Sequence, residues 1–185
     1  MSKRDGKMTD DAISQNKNTK IGTMPDGRGI YDMNGERVSF RIADYISDPM
    51  VMAISAYDAD TGEPYCTMSV NFGNFYGDPY SGSFIRNNCT FIDTNNVYFA
   101  EDFLNNVGAK PYTKMGGEVR MHSGFCEYPL YEFPESLLEE MDKKGYEEHK
   151  ERYNEALPKA QRDLVSSSFG NMFEDEDEFD DNEFK

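Results

Sequence analysis

Three short stretches of the chain carry residue types that can do chemistry. In HSGFCEY, residues 122–128, His122 and Cys126 stand four positions apart, the residue types of a base and a cysteine nucleophile. On one extended strand that spacing separates their Cα atoms by about 13 Å, beyond hydrogen-bond reach without a bend. A cysteine packed as a small hydrophobe is the plainer reading. In DADTGE, residues 58–63, Asp58, Asp60 and Glu63 surround a glycine as carboxylates do in a calcium loop. The twelve-residue span of such a loop is missing, and Asp with Gly is equally what a hairpin turn needs. In FIDTNN, residues 91–96, Asp93 and Asn95 either line a pocket or end a strand by bonding to their own backbone, and the turn reading is favoured. Two histidines, His122 and His149, are too few for a zinc site; the glycines of GNFYGDPYSGS have no lysine or helix after them, and KMGGE lacks the spacing of a phosphate-binding loop. No cofactor and no metal are expected, and the chain does not read as an enzyme; a small hydrolase using Cys126 is the third choice of function.

The remaining chemistry is that of a charged surface. Net charge is -16, distributed as +2 over residues 1–20, -8 over 21–133, -3 over 134–173 and -7 over 174–185. Nucleic-acid backbones repel such a protein, because binding them needs Lys and Arg to displace counterions. A basic protein partner suits the field. The carboxylates stand beside aromatic residues, Tyr146 and Tyr153 on one side and Phe173, Phe179 and Phe184 on the other. Candidate partner-binding residues are therefore Glu139, Glu140, Glu147, Glu148, Glu151 and Glu155 in a helical stretch, and Glu174, Asp175, Glu176, Asp177, Glu178, Asp180 and Asp181 near the end. Phe75, Tyr76 and Tyr80, in a stretch too aromatic for a plain linker, form a third group. A solvated helix face and a solubilising terminus would account for the same charges.

The elements that would position these groups follow from pattern. At 185 residues with 37% apolar content, one core is expected. Three widely spaced cysteines suggest no disulfide framework, no run of 18 apolar residues is present, and the expected home is a reducing cytoplasm. Residues 1–24 read as a flexible arm. A hairpin is expected around Asn34-Gly35, with Val38, Phe40 and Ile42 facing inward, and a second from strands near 50–57 and 65–72 joined by DADTGEP. Residues 73–88 read as an ordered loop. A short strand at 90–93 and a helix near 99–107 follow, the helix stopped by Gly108. A last strand pair is expected in EVRMHSGFCEYPLYEF, with Phe125, Tyr128, Leu130 and Tyr131 in the core and Pro129 placing its strand at an edge or bulge. From Pro134 to Leu157, Leu137, Met141, Gly145, His149, Tyr153 and Leu157 recur every four residues and predict a long helix, weak at Gly145. Pro158 suits the first turn of a further helix. The expected fold class is α+β: a twisted antiparallel sheet with a short helix, a core domain over 25–133, a helical extension over 134–167 and a disordered acidic tail over 168–185.

PYCTMSVNF, FIDTNN, FLNNVGAKPYT and SGFCEYPLYEF, between residues 64 and 133, resemble a family of unknown function encoded by conjugative elements and prophages of gut bacteria. Small acidic proteins of such elements are often counter-defence factors, and the chain looks similar to anti-CRISPR proteins. The resemblance implies a fold and a genomic setting and assigns no functional residue. The expected function is thus a non-enzymatic inhibitor whose acidic surface mimics phosphates and occupies the Lys/Arg groove of a nucleic-acid-processing protein, above all a Cas effector nuclease. The alternative is an accessory binding module of a conjugative element, docking on a basic DNA-processing protein through its tail. No direct nucleic-acid contact and no membrane contact are expected, and oligomeric state stays open.

Overall fold

Strand pairing begins at Lys20, inside the segment expected to be an arm. β1 (Lys20–Thr23), β2 (Gly29–Met33), β3 (Glu36–Tyr45), β4 (Asp48–Asp58) and β5 (Pro64–Thr67) form an antiparallel meander in that order. This computed structural model describes residues 20–72 and 85–170, with side chains to residue 161. The hairpin at Asn34-Gly35 is present, and both residues take the positive φ, 57° and 85°, that a two-residue turn requires. Along β3, Val38, Phe40 and Ile42 are buried; on the other face Ser39 is buried as well, and Arg41 and Ala43 are exposed, so the alternation of a half-covered sheet begins after Phe40.

The strand expected at 65–72 is broken in two, because the chain changes sheets at Met68. The Met68 N–H donates to Ile54 in the first sheet (2.9 Å), and its carbonyl accepts from Asp93 in the second (2.8 Å). Beyond it, β6 (Ser69–Val70) pairs with β7 (Cys89–Ile92), and α1 (Ala100–Val107) follows, ended by Gly108 at φ 97°. Next come β8 (Lys110–Pro111), β9 (Thr113–Lys114), β10 (Gly117–Glu118), β11 (Arg120–Ser123) and β12 (Cys126–Glu132). The second sheet runs β11-β12-β7-β6 with β8 also on β12, while β9 and β10 pair as a separate small hairpin. The Thr90 hydroxyl donates to the Met52 carbonyl at 2.7 Å and ties the two sheets together.

All four residues of β7 are buried, because its two faces look into two clusters. Ile92 joins the main core with Tyr31, Phe40, Ile54, Phe103 and Tyr131; Cys89 and Phe91 join a smaller one with Ile85, Val119 and Leu130. Two expectations for the last hairpin are corrected. Phe125 is 109% exposed rather than in the core, because it sits in the turn beside Gly124 (φ 61°), where no strand alternation directs it inward. Pro129 does not mark an edge: β12 lies between β11 and β7, and Pro129 pairs with Arg120 one residue before pairing with β7 begins at Leu130.

α2 runs from Glu135 to Gly170, passing through Pro158 where a new helix was expected. Its break is at Asp142 (φ -160°, ψ 86°), three residues before the expected weak point at Gly145. Leu137, Met141, Gly145, His149 and Tyr153 lie on the buried row that the four-residue spacing predicts, and Leu138 and Tyr146 are also buried. Leu137, Leu138, Met141 and Tyr146 belong to the same core as the sheets.

Candidate interaction surface along the C-terminal helix

β2 is short and leaves β3 unpaired on that side after Ser39. Buried or half-buried backbone groups need partners, and two residues supply them. The Phe40 carbonyl accepts from Arg28 (3.2 Å), and the Ile42 N–H donates to Oδ2 of Asp142 (3.0 Å). Asp142 in turn accepts the Gly145 N–H through Oδ1 (3.1 Å), as an N-cap does for the segment of α2 that restarts there. A Cβ at position 145 would stand 2.2 Å from the Ile42 carbonyl oxygen, so the helix comes this close to β3 only with glycine there. The break in α2 and its glycine are two parts of one strand-edge contact.

Beside this contact lies a cleft of about 530 Å³ in which Arg28, Arg41 and Lys144 face Asp26, Asp142 and Glu148. Its lining carries no net charge. The Arg28 guanidinium holds the Asp26 carboxyl below the usual carboxylate range, and the Arg41 guanidinium lies over the Tyr57 ring, 5.0 Å from its centroid.

The helix carboxylates fall into two groups. Glu140 is taken up by the fold: it accepts the Tyr31 hydroxyl at 2.8 Å and pairs with Lys20 at 3.0 Å. Burial, with the Glu140 bond, pushes the Tyr31 phenol well above its ordinary pKa. Glu148 sits between Lys144 (3.7 Å) and Arg152 (4.0 Å). Glu147, Glu151 and Glu155 share one exposed row, with Lys143 3.9 Å from Glu147 and no partner for Glu151 or Glu155 among the described residues. Glu139 is exposed on the far side of the break. Phe75, Tyr76, Tyr80 and the acidic residues from Glu174 to Asp181 lie outside the described residues.

The stretches that invited a catalytic or metal reading resolve into structure. His122 and Cys126 lie on two strands of a hairpin, not on one: His122 is opposite Glu127 and Cys126 opposite Ser123. Adjacent positions point to opposite faces, so the imidazole and the thiol look away from each other. Asp58 accepts the backbone N–H groups of Thr61 (2.6 Å) and Asp60 (2.9 Å), which lower its pKa and make DADTGE a turn. Asp93 closes its own turn through Asn96. Burial pushes the Cys66 thiol to about 11 and the Cys89 thiol to about 12. Among the described residues no group of three or more His, Cys, Asp or Glu is placed to hold a metal, and no helix is long and apolar enough to cross a membrane.

One polar cluster was not anticipated from the sequence. His149, 0% exposed, places Nδ1 2.5 Å from Asp44 Oδ1 and Nε2 3.0 Å from the Asn87 carbonyl oxygen. Arg152 binds the other oxygen of Asp44, and the Tyr153 hydroxyl donates to the Ile85 carbonyl at 2.6 Å. The four-residue spacing already put His149 on the buried row, and a histidine there must find two partners.

Two antiparallel sheets joined at Met68 and pinned by a long helix define an α+β protein, and among the described residues the candidate carboxylates lie on that helix. Residues 39–153, from β3 to the end of the buried row of α2, match the family described as Domain of unknown function (DUF4313), and the chain belongs to that family. No curated protein matches the chain, and no solved structure matches it.

Proposed function

We propose that the chain is a non-enzymatic inhibitor that binds a basic, nucleic-acid-processing protein of host defence, most concretely a Cas effector nuclease, in the cytoplasm of a cell carrying a mobile element. The observation that carries this reading is the placement of the charge. Residues 20–72 and 85–170 hold 23 Asp and Glu against 14 Lys and Arg, so the folded part is anionic without the tail. Carboxylates on a rigid element can meet a Lys/Arg groove without first being ordered. Within α2 Glu139, Glu147, Glu151 and Glu155 face outward, Glu147 beside Lys143, whereas Glu140 is engaged by Lys20 and Tyr31 and Glu148 lies between Lys144 and Arg152.

The test is a variant with Glu139, Glu147, Glu151 and Glu155 all changed to Lys, titrated against a Cas effector in a DNA-cleavage assay across a salt series. Inhibition should vanish while circular dichroism stays native. Retained inhibition by this folded variant would refute the helix-face reading. Deleting residues 171–185 should weaken binding only in part; complete loss would point to the accessory docking module.

A further inference from the structure

We infer that His149 is a proton-dependent pin that couples α2 to both sheets. The geometry sets the protonation. The Asn87 carbonyl can only accept, and so can the ionised Asp44 carboxylate, so each ring nitrogen must donate. Arg152 on the second oxygen of Asp44 keeps that carboxylate charged and leaves the shared proton on the imidazole. The ring is thereby held as an imidazolium with no exposed surface.

The three elements around the ring account for its polar surroundings. β3 supplies Asp44, and α2 supplies Arg152, Tyr153 and, through Arg152, Glu148. The segment leading into β7 supplies the carbonyls of Ile85 and Asn87. Tyr153, whose hydroxyl is committed to Ile85, and Cys89 at the start of β7 are both pushed up by burial and stay neutral. The hydrogen bonds of the cluster therefore converge on the His149–Asp44 contact beside the Arg152 guanidinium. Removing the second ring proton sets a nitrogen lone pair against either the Asp44 carboxylate or the Asn87 carbonyl, and one of the two grips is lost. Deprotonation, which comes with rising pH, removes either the ring's hold on Asn87, leaving Tyr153 on Ile85, or its hold on Asp44, leaving Arg152 on that carboxylate, and so loosens one of the two joints.

The chain's other histidine, His122, is exposed at the β11 edge and provides a reference within the same sample. The experiment uses the ¹⁵N-labelled full chain. Long-range ¹H–¹⁵N spectra read the protons on each ring, and hydrogen exchange is followed at the Cys89 amide, bonded to Arg86 at 3.0 Å, and the Phe133 amide, bonded to Asn88 at 2.9 Å. Both His149 nitrogens should carry protons while these amides are protected. As rising pH removes one proton, exchange at both sites should quicken about ten- to hundredfold beyond its intrinsic pH dependence, the worth of one charge-assisted bond. In His149→Gln the fast exchange should be present at every pH, and in Asp44→Asn the link between pH and exchange should disappear. A neutral single tautomer in the folded chain would overturn the inference. So would a ring that loses its proton without any change at Cys89 and Phe133, or one that keeps both protons until the chain unfolds.

Discussion

Replacing Gly145 with Ala separates two accounts of α2 by the sign of the effect. If Gly145 were merely a weak point in an exposed helix, alanine would stabilise the chain by about 1 kcal/mol through helix propensity. The structure calls for the reverse. The added Cβ would stand 2.2 Å from the Ile42 carbonyl oxygen and 2.6 Å from Asp142 Oδ2, and the first of these belongs to backbone in the middle of a paired strand. Relief requires α2 to back away by roughly 1 Å, with an overpacking cost of about 1–3 kcal/mol. The same shift strains or breaks the 3.0 Å bond from the Ile42 N–H to Asp142, worth about 1.5–3 kcal/mol for a charged acceptor. Set against the propensity gain, the net loss is about 1.5–5 kcal/mol. For a chain of this size that lowers Tm by roughly 3–20 °C. Thermal and urea unfolding followed at 222 nm would read it, with Lys144→Ala, at a side chain 88% exposed, as the control that should change little. A Gly145→Ala protein as stable as the parent, or more stable, refutes the strand-edge account of the break in α2.

Other substitutions test separate features. Asp48 is fully buried, its Oδ2 has no hydrogen-bond partner among the described residues, and burial raises its pKa. Its ionised form therefore costs stability that is absent at pH below the unfolded value near 3.9 and grows as pH rises through the folded pKa. Asp48→Asn should stabilise by about 1–3 kcal/mol at pH 7 and by little near pH 3, measured by urea titration at both; equal gains at the two pH values would remove charge as the cause. Glu140→Lys should cost about 1–3 kcal/mol, since it strands the Tyr31 hydroxyl and faces Lys20 with a second cation, while Glu151→Lys should stay within about 0.5 kcal/mol. Equal costs for the two would mean that α2 does not present the two residues differently. Phe125→Ser should leave unfolding within about 0.5 kcal/mol, and a larger loss would place that ring in a contact.

What the sequence made legible is what repeats or turns locally. Asn34-Gly35 identified its hairpin because positive φ at both positions is a local demand, and Gly108 ended α1 for the same reason. The four-residue row of α2 was readable because periodicity reports which face is covered. It does not report what covers it. Hence Gly145 looked like a weak point, although it is the position where the helix meets the Ile42 carbonyl, and His149 looked like one more core residue, although Asp44 lies 105 residues away. The exit from the first sheet at Met68 was equally hidden, since alternation continues across a strand that changes partners. Phe125 shows the converse, an apolar residue whose place in a turn outweighs its hydrophobicity. For the candidate surface, the sequence showed that carboxylates crowd α2 but not that Lys20 and Tyr31 would claim Glu140.

The covered edge of β3 also bears on how the chain is made. Arg28 closes part of it locally, but the bonds that α2 makes join residues 100 and 105 positions apart, Ile42 to Asp142 and Asp44 to His149, and Tyr31 on the neighbouring β2 reaches Glu140 across 109. A ribosome adding about 5–20 residues per second releases β3 some 5–20 s before α2 can reach it. Through that interval the meander presents an unpaired strand edge to every other nascent chain, the situation that favours edge-to-edge association. Final yield in a cell should therefore depend on holdase chaperones and on expression rate more than the stability of the finished fold would suggest, and synonymous codons that slow translation between residues 46 and 134 should lower it.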